Sequence, residues 1–257
     1  MDRPFIDLPI WVLFVGTTVL VLASMEIGYR YARRRQRDAA LEKEAPVGAI
    51  VGATLGLLAF LLAFTFGMAA DAFHARKTAL AQEVSAIRMT YMMGSLAAEP
   101  QRRELRTVLR DYVDERLRWA SGQPSAPGST AAELVDRLWK SAADIAAQSP
   151  GQVDVFLGYV GRIVELRDER EMVRERSRIP GPVWAALYLV TFLAAVGVGY
   201  HGGVAGTQRT PIVVAVAIAF SAVIMLIADL DAPGKGLINV SQQPLVDLRA
   251  ALAASKP

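Results

Sequence analysis

Cysteine is missing from this chain of 257 residues. Its absence excludes disulfides, thiolate catalysis and cysteine-ligated metals, and says nothing about compartment. Histidine is nearly missing too. His74 and His201 are the only two, and with no HxxxH or HExxH pairing they make no zinc hydrolase. Ser221 has neither a GxSxG frame nor a base beside it in the sequence, so a serine hydrolase has no support. Gly234-Lys235-Gly236 lacks the earlier glycine and the Ser/Thr of a phosphate-binding loop. A one-sided charge is absent as well: 28 basic and 25 acidic residues are interleaved for a net +3, which offers no nucleic-acid surface. Strand-like alternation of useful length is also lacking. The expectation is a non-enzyme with no cofactor.

Apolar sequence, by contrast, is abundant. Hydrophobic residues make up 53% of the chain and charged residues 21%, so the mean hydropathy of +0.30 requires the two kinds to be segregated. Four runs, at 9–25, 47–70, 183–200 and 211–228, contain no Asp, Glu, Lys or Arg. Each is about the length that crosses a ~30 Å hydrocarbon core as a helix. Continuous apolar runs also exclude the alternation of a membrane barrel. The first run reads as an anchor rather than a secretory signal. It ends in the basic stretch SMEIGYRYARRRQR, with no small-residue cleavage site.

The predicted fold is all-α, with four transmembrane helices and an amphipathic helical bundle inserted between the second and third. The expected division is 1–70 for two spans, 71–182 for the bundle, 183–228 for two more spans and 229–257 for a polar tail. Within the bundle, Phe73, Leu80, Val84, Ile87 and Tyr91 continue the second span at helical spacing. Pro100 suits the first turn of the next helix, whose stripe is Leu105, Val108, Leu109, Tyr112, Val113 and Leu117. Thr130 with Glu133 makes a capping-box start for a third, carrying Leu134, Leu138 and Ile145. A fourth carries Val153, Phe156, Leu157, Val160, Ile163 and Val164. It runs through an Arg/Glu-rich stretch, 167–178, which reads as a solvated face with i,i+4 pairs. Its last arginines, Arg174, Arg176 and Arg178, are candidates for lipid headgroups.

Several residues stand out inside the spans. Gly48, Gly52 and Gly56 are spaced for small-xxx-small helix packing, and Phe60, Phe64 and Met68 continue the same four-residue step. An i+4 row drifts by about 40° per step on an ideal helix, so one flat face cannot hold all six. The phenylalanines either constrict a pore, with Thr65 nearby, or pack against lipid and helices. Glu26, at the end of the first span, is either a functional carboxylate or an interfacial one within reach of Arg30. Asp229 and Asp231, followed by Pro233-Gly234, either ligate a hard cation such as Ca²⁺ or close the last span. No Glu stands at the twelfth position of an EF-hand loop counted from Asp229, which leaves the calcium assignment weak.

Three segments resemble bacterial membrane proteins with a bestrophin-like domain: EIGYRYARRR, LLAFLLAFTFGMAADAFHARKTALAQEVSAIRMTY and DLDAPGKGLINVSQQPL. The resemblance takes in nearly the whole chain. It implies a multi-pass protein of the bacterial inner membrane, a homo-oligomer and an anion channel whose neck is the second helix, with Phe60, Phe64 and Met68 as pore-lining residues. Partners would then be membrane lipids, other copies of the chain and small ions. The alternative is a non-conducting membrane scaffold or sensor whose bundle binds a partner or ligand. Sidedness is divided. The basic first loop (Arg30, Arg33, Arg34, Arg35, Arg37, Lys43) belongs in the cytoplasm by the positive-inside rule, which puts the bundle outside. Arg76, Lys77, Arg174, Arg176 and Arg178 argue the reverse, as does the likeness to bestrophins.

Overall fold

The computed structural model describes residues 9–38, 44–125, 128–148, 153–176, 179–206, 211–232 and 236–254. Among them every regular element is an α-helix: α1 (Ile10–Asp38), α2 (Glu44–Gly94), α3 (Gln101–Ala120), α4 (Ala131–Gln148), α5 (Val153–Arg176), α6 (Gly181–Val204), α7 (Pro211–Asp231) and α8 (Gln243–Ala254). Helices α1, α2, α6 and α7 are long and apolar enough to cross a membrane. At 51 residues, α2 has more than twice the length such a crossing needs. The chain forms two compact units, Met1–Phe73 with Arg178–Asn239 and His74–Ser177 with Val240–Pro257. Phe73 therefore belongs to the first unit rather than to the stripe of the bundle.

In the first unit, small residues let backbones touch. A methyl group on Gly28 of α1 would collide with the carbonyl oxygen of Val196 on α6, and one on Gly199 would collide with that of Met25. A methyl on Gly203 would stand 2.6 Å from the Ala32 side chain. Lipid offers no hydrophobic drive to join helices, so such close contact is where their association energy arises. Thr17 and Tyr188 add a hydrogen bond at 3.2 Å, and Val21, Met25, Ala195 and Ala217 bring α7 into the same packing. Leu58, Leu62 and Ala69 of α2 pack with Leu187, Ile224 and Ile227 in a second cluster. The outer faces are as apolar as the inside: Trp11, Val19, Ile50, Leu189 and Ile212 are all exposed. A water-soluble unit would not leave so much apolar surface open.

The second unit is a conventional amphipathic assembly. Ile87, Leu105, Leu109, Tyr112, Leu134, Leu138, Val160 and Ile163 form its buried centre. Its helix starts and stops follow the sequence. Thr130 and Glu133 close the predicted capping box reciprocally, with the Glu133 N–H donating to Thr130 Oγ1 at 3.3 Å and the Thr130 N–H donating to Glu133 Oε2 at 3.0 Å. The Thr130 hydroxyl, donating to Glu133 Oε2 at 2.7 Å, and the Thr130 N–H together hold the Glu133 carboxyl below its usual range. At the end of α3, the Gly122 N–H donates to Trp119 O and the Gln123 N–H to Arg118 O. This Schellman stop requires the positive φ of 74° that Gly122 supplies.

One segment differs from expectation. Residues 243–254, assigned to a polar tail, form α8, which packs on α3 and buries Leu245, Leu248 and Leu252 in the centre of the second unit. Arg110 of α3 fastens its end by donating to the Leu252 carbonyl at 2.6 Å.

Candidate functional site

Helix α2 carries the residues that the sequence offers as a pore wall, and the structure sorts them. Phe60 and Phe64 are 65% and 54% exposed, with rings stacked 6.4 Å apart. They stand on the face of α2 opposite Leu58, Leu62 and Ala69. Gly52 and Gly56 have open space beside them, whereas Gly48 lies against the His201 ring. Met68 does not share the phenylalanine face. The drift of the four-residue step turns it into the cluster with Leu187 and Ile224. Thr65 is buried, and its hydroxyl donates to Leu61 O at 2.8 Å, so it is committed to its own helix. Backbone-to-backbone helix contact within the chain is made at Gly28, Gly199 and Gly203, while Gly48 meets α6 through the His201 side chain.

The two acids that follow the last span are bound by backbone. Asp229 accepts the N–H groups of Leu237 at 2.7 Å and Ile238 at 2.8 Å. Gly236 permits that turn, since a side chain there would strike Asp229 Oδ1. Asp231 accepts the Ile179 N–H at 2.9 Å, just ahead of α6. Both carboxylates are buried, and among the described residues no three His, Cys, Asp or Glu side chains gather as a metal site would require. Pro233 and Gly234 lie outside the described residues. Glu26 meets Arg30, whose Nε donates at 2.6 Å, the i,i+4 pair the spacing suggests.

A polar node that the sequence does not announce lies in the second unit. Glu83 of α2 is 1% exposed. It accepts from Tyr112 Oη at 2.8 Å, from Arg116 Nε at 3.1 Å and from one Arg170 nitrogen at 2.6 Å to each carboxylate oxygen. Burial, reinforced by the Glu83 charge, pushes the Tyr112 hydroxyl far up, so it stays protonated and donates. Burial alone would lower Arg170, but Glu83 and Tyr112 together outweigh it and the guanidinium is held more firmly charged than usual. The expectation that 167–178 is wholly solvated therefore fails at Arg170, whose side chain is 23% exposed. The side chains of Arg174, Arg176 and Arg178 lie outside the described residues. A signal was present: Glu83 interrupts the apolar stripe between Leu80 and Ile87.

The family model described as the bestrophin-like domain matches residues 14–245, from inside α1 to the start of α8. This chain belongs to the bestrophin-like family. No curated protein and no solved structure matches it. The family match takes in three spans of this bestrophin-like chain whole and the first from residue 14 on, together with the node around Glu83 and Asp229.

Proposed function

We propose that this bestrophin-like chain is one subunit of a homo-oligomeric anion channel in the bacterial inner membrane, with α2 facing the conduit. The supporting observation is the outward face of α2, where the stacked Phe60 and Phe64 follow the open flanks of Gly52 and Gly56. Helices α1 and α6 meet backbone to backbone, so a water-wide path is better built between copies than within one. Small residues at Gly52 and Gly56 suit close approach by a second copy. The two rings suit a constriction that conducts when wetted and closes when it dries. The anion assignment rests on family likeness, since rings and methyl groups carry no charge that would choose the ion.

Reconstitution into liposomes with halide and potassium flux assays tests this reading. Halide flux should exceed potassium flux, and Phe60→Ala with Phe64→Ala should raise it by about tenfold or more, the effect of removing ~1.4 kcal/mol of barrier. Silence under varied voltage, pH and Ca²⁺ would overturn the channel and leave the scaffold reading.

A further inference from the structure

Helix α1 outruns the membrane at its C-terminal end, and what emerges is strongly basic. The 20 residues from Ile10 to Tyr29 are enough for a ~30 Å core, and Arg30, Arg33, Arg34 and Arg35 come next. Their placement is fixed by packing. Met25, Gly28 and Ala32 are buried, with Gly28 against Val196, Gly199 against Met25 and Gly203 against Ala32. That leaves Arg30, Arg33 and Arg34 exposed on the rest of the helix. Aromatic rings of the kind that settle at headgroup depth surround them. Tyr31 contacts Tyr200 of α6 at 6.0 Å, and the Arg33 guanidinium lies 5.8 Å from the Tyr29 ring. Glu26 accepts from Nε of Arg30 at 2.6 Å, which uses one of the five N–H donors of a guanidinium.

We propose that Arg30, Arg33 and Arg34, framed by Tyr29, Tyr31 and Tyr200, form a binding site for the phosphate of anionic phospholipid headgroups. A phosphodiester carries a single negative charge that one guanidinium can meet bidentately, so three guanidinium groups on one helix end can hold one headgroup and attract neighbouring anionic ones. They sit where the helix leaves hydrocarbon, which is the depth of that phosphate and not of a soluble ligand's usual approach. The close glycine contacts between α1 and α6 hold the backbone that carries the arginines, so binding has to order side chains and not the helix itself. The site does not depend on whether the protein conducts.

The test is thermal unfolding of the purified full chain in detergent, with phosphatidylglycerol or phosphatidylcholine added. Phosphatidylglycerol should raise the midpoint by about 5 °C more than phosphatidylcholine does, as a saturating ligand would. The triple variant Arg30→Gln, Arg33→Gln, Arg34→Gln should lose most of that difference. The triple Arg88→Gln, Arg103→Gln, Lys140→Gln, which removes equal charge from exposed sites of the second unit, should keep it. Replacing the three arginines by lysine should keep part of it, which also guards against a Gln variant that fails to fold. Equal shifts from the two lipids, or equal losses in the two Gln triples, would overturn the site. A full shift from glycerol phosphate alone would replace the lipid by a soluble phosphate ester and sink the proposal as well.

Discussion

Glu83 brings a negative charge into an apolar centre and survives there because three donors on two other helices converge on it. Removing one partner of such a group costs more than the group contributes, since the remaining charges stay buried without relief. Glu83→Gln strands Arg116, which is 5% exposed, and weakens the hold on Arg170. The loss should be about 3–5 kcal/mol, a fall in melting midpoint on the order of 10 °C for a chain of this size. Replacing Glu83 by Leu together with Arg116 and Arg170 by Met should cost less, because no charge is then left unpaired and only the buried Tyr112 hydroxyl loses its acceptor, a loss of about 1–3 kcal/mol. Thermal unfolding of the purified variants checks both. Equal midpoints for the single and triple variants would mean that water reaches the arginines and that the node is not dry.

At the scale of the element, helices that declare themselves locally were legible and those defined by distant partners were not. The four spans follow from uninterrupted apolar sequence, and α4 from a capping box four residues long; both signals are contained in the segment itself. Helix α8 is different. Its Leu245, Leu248 and Leu252 have the right spacing, but it is short, and its partner α3 lies more than a hundred residues earlier. The Glu83 node stayed hidden for the same reason, since Arg116 and Arg170 are 33 and 87 residues away from it. If α8 is part of the centre, Leu248→Ala should destabilise the protein by about 2–5 kcal/mol. The neighbouring exposed Val246→Ala should change stability by less than about 0.5 kcal/mol. Chemical denaturation followed by far-UV circular dichroism distinguishes a packed helix from a tail, for which the two changes would be alike.

For the whole molecule, the decisive division is between glycines that hold one chain together and glycines left open. Gly199 sits where any side chain meets the Met25 backbone, which cannot give way without parting α1 from α6. Gly199→Leu should therefore lower the yield and stability of the single chain, whatever its assembly. A Cβ at Gly52 or Gly56 meets no atom of the described residues within 4 Å, and both positions are exposed, so a leucine there has room to point away from its own subunit. An effect of Gly52→Leu with Gly56→Leu must come from something outside the subunit. If copies assemble through α2, this double variant should melt like the parent but show a smaller mass by light scattering in detergent, with altered halide flux after reconstitution. An unchanged mass and unchanged flux would assign this face of α2 to lipid. Phe60 and Phe64 would then be membrane-facing rings, and any conduit would have to be sought on another helix.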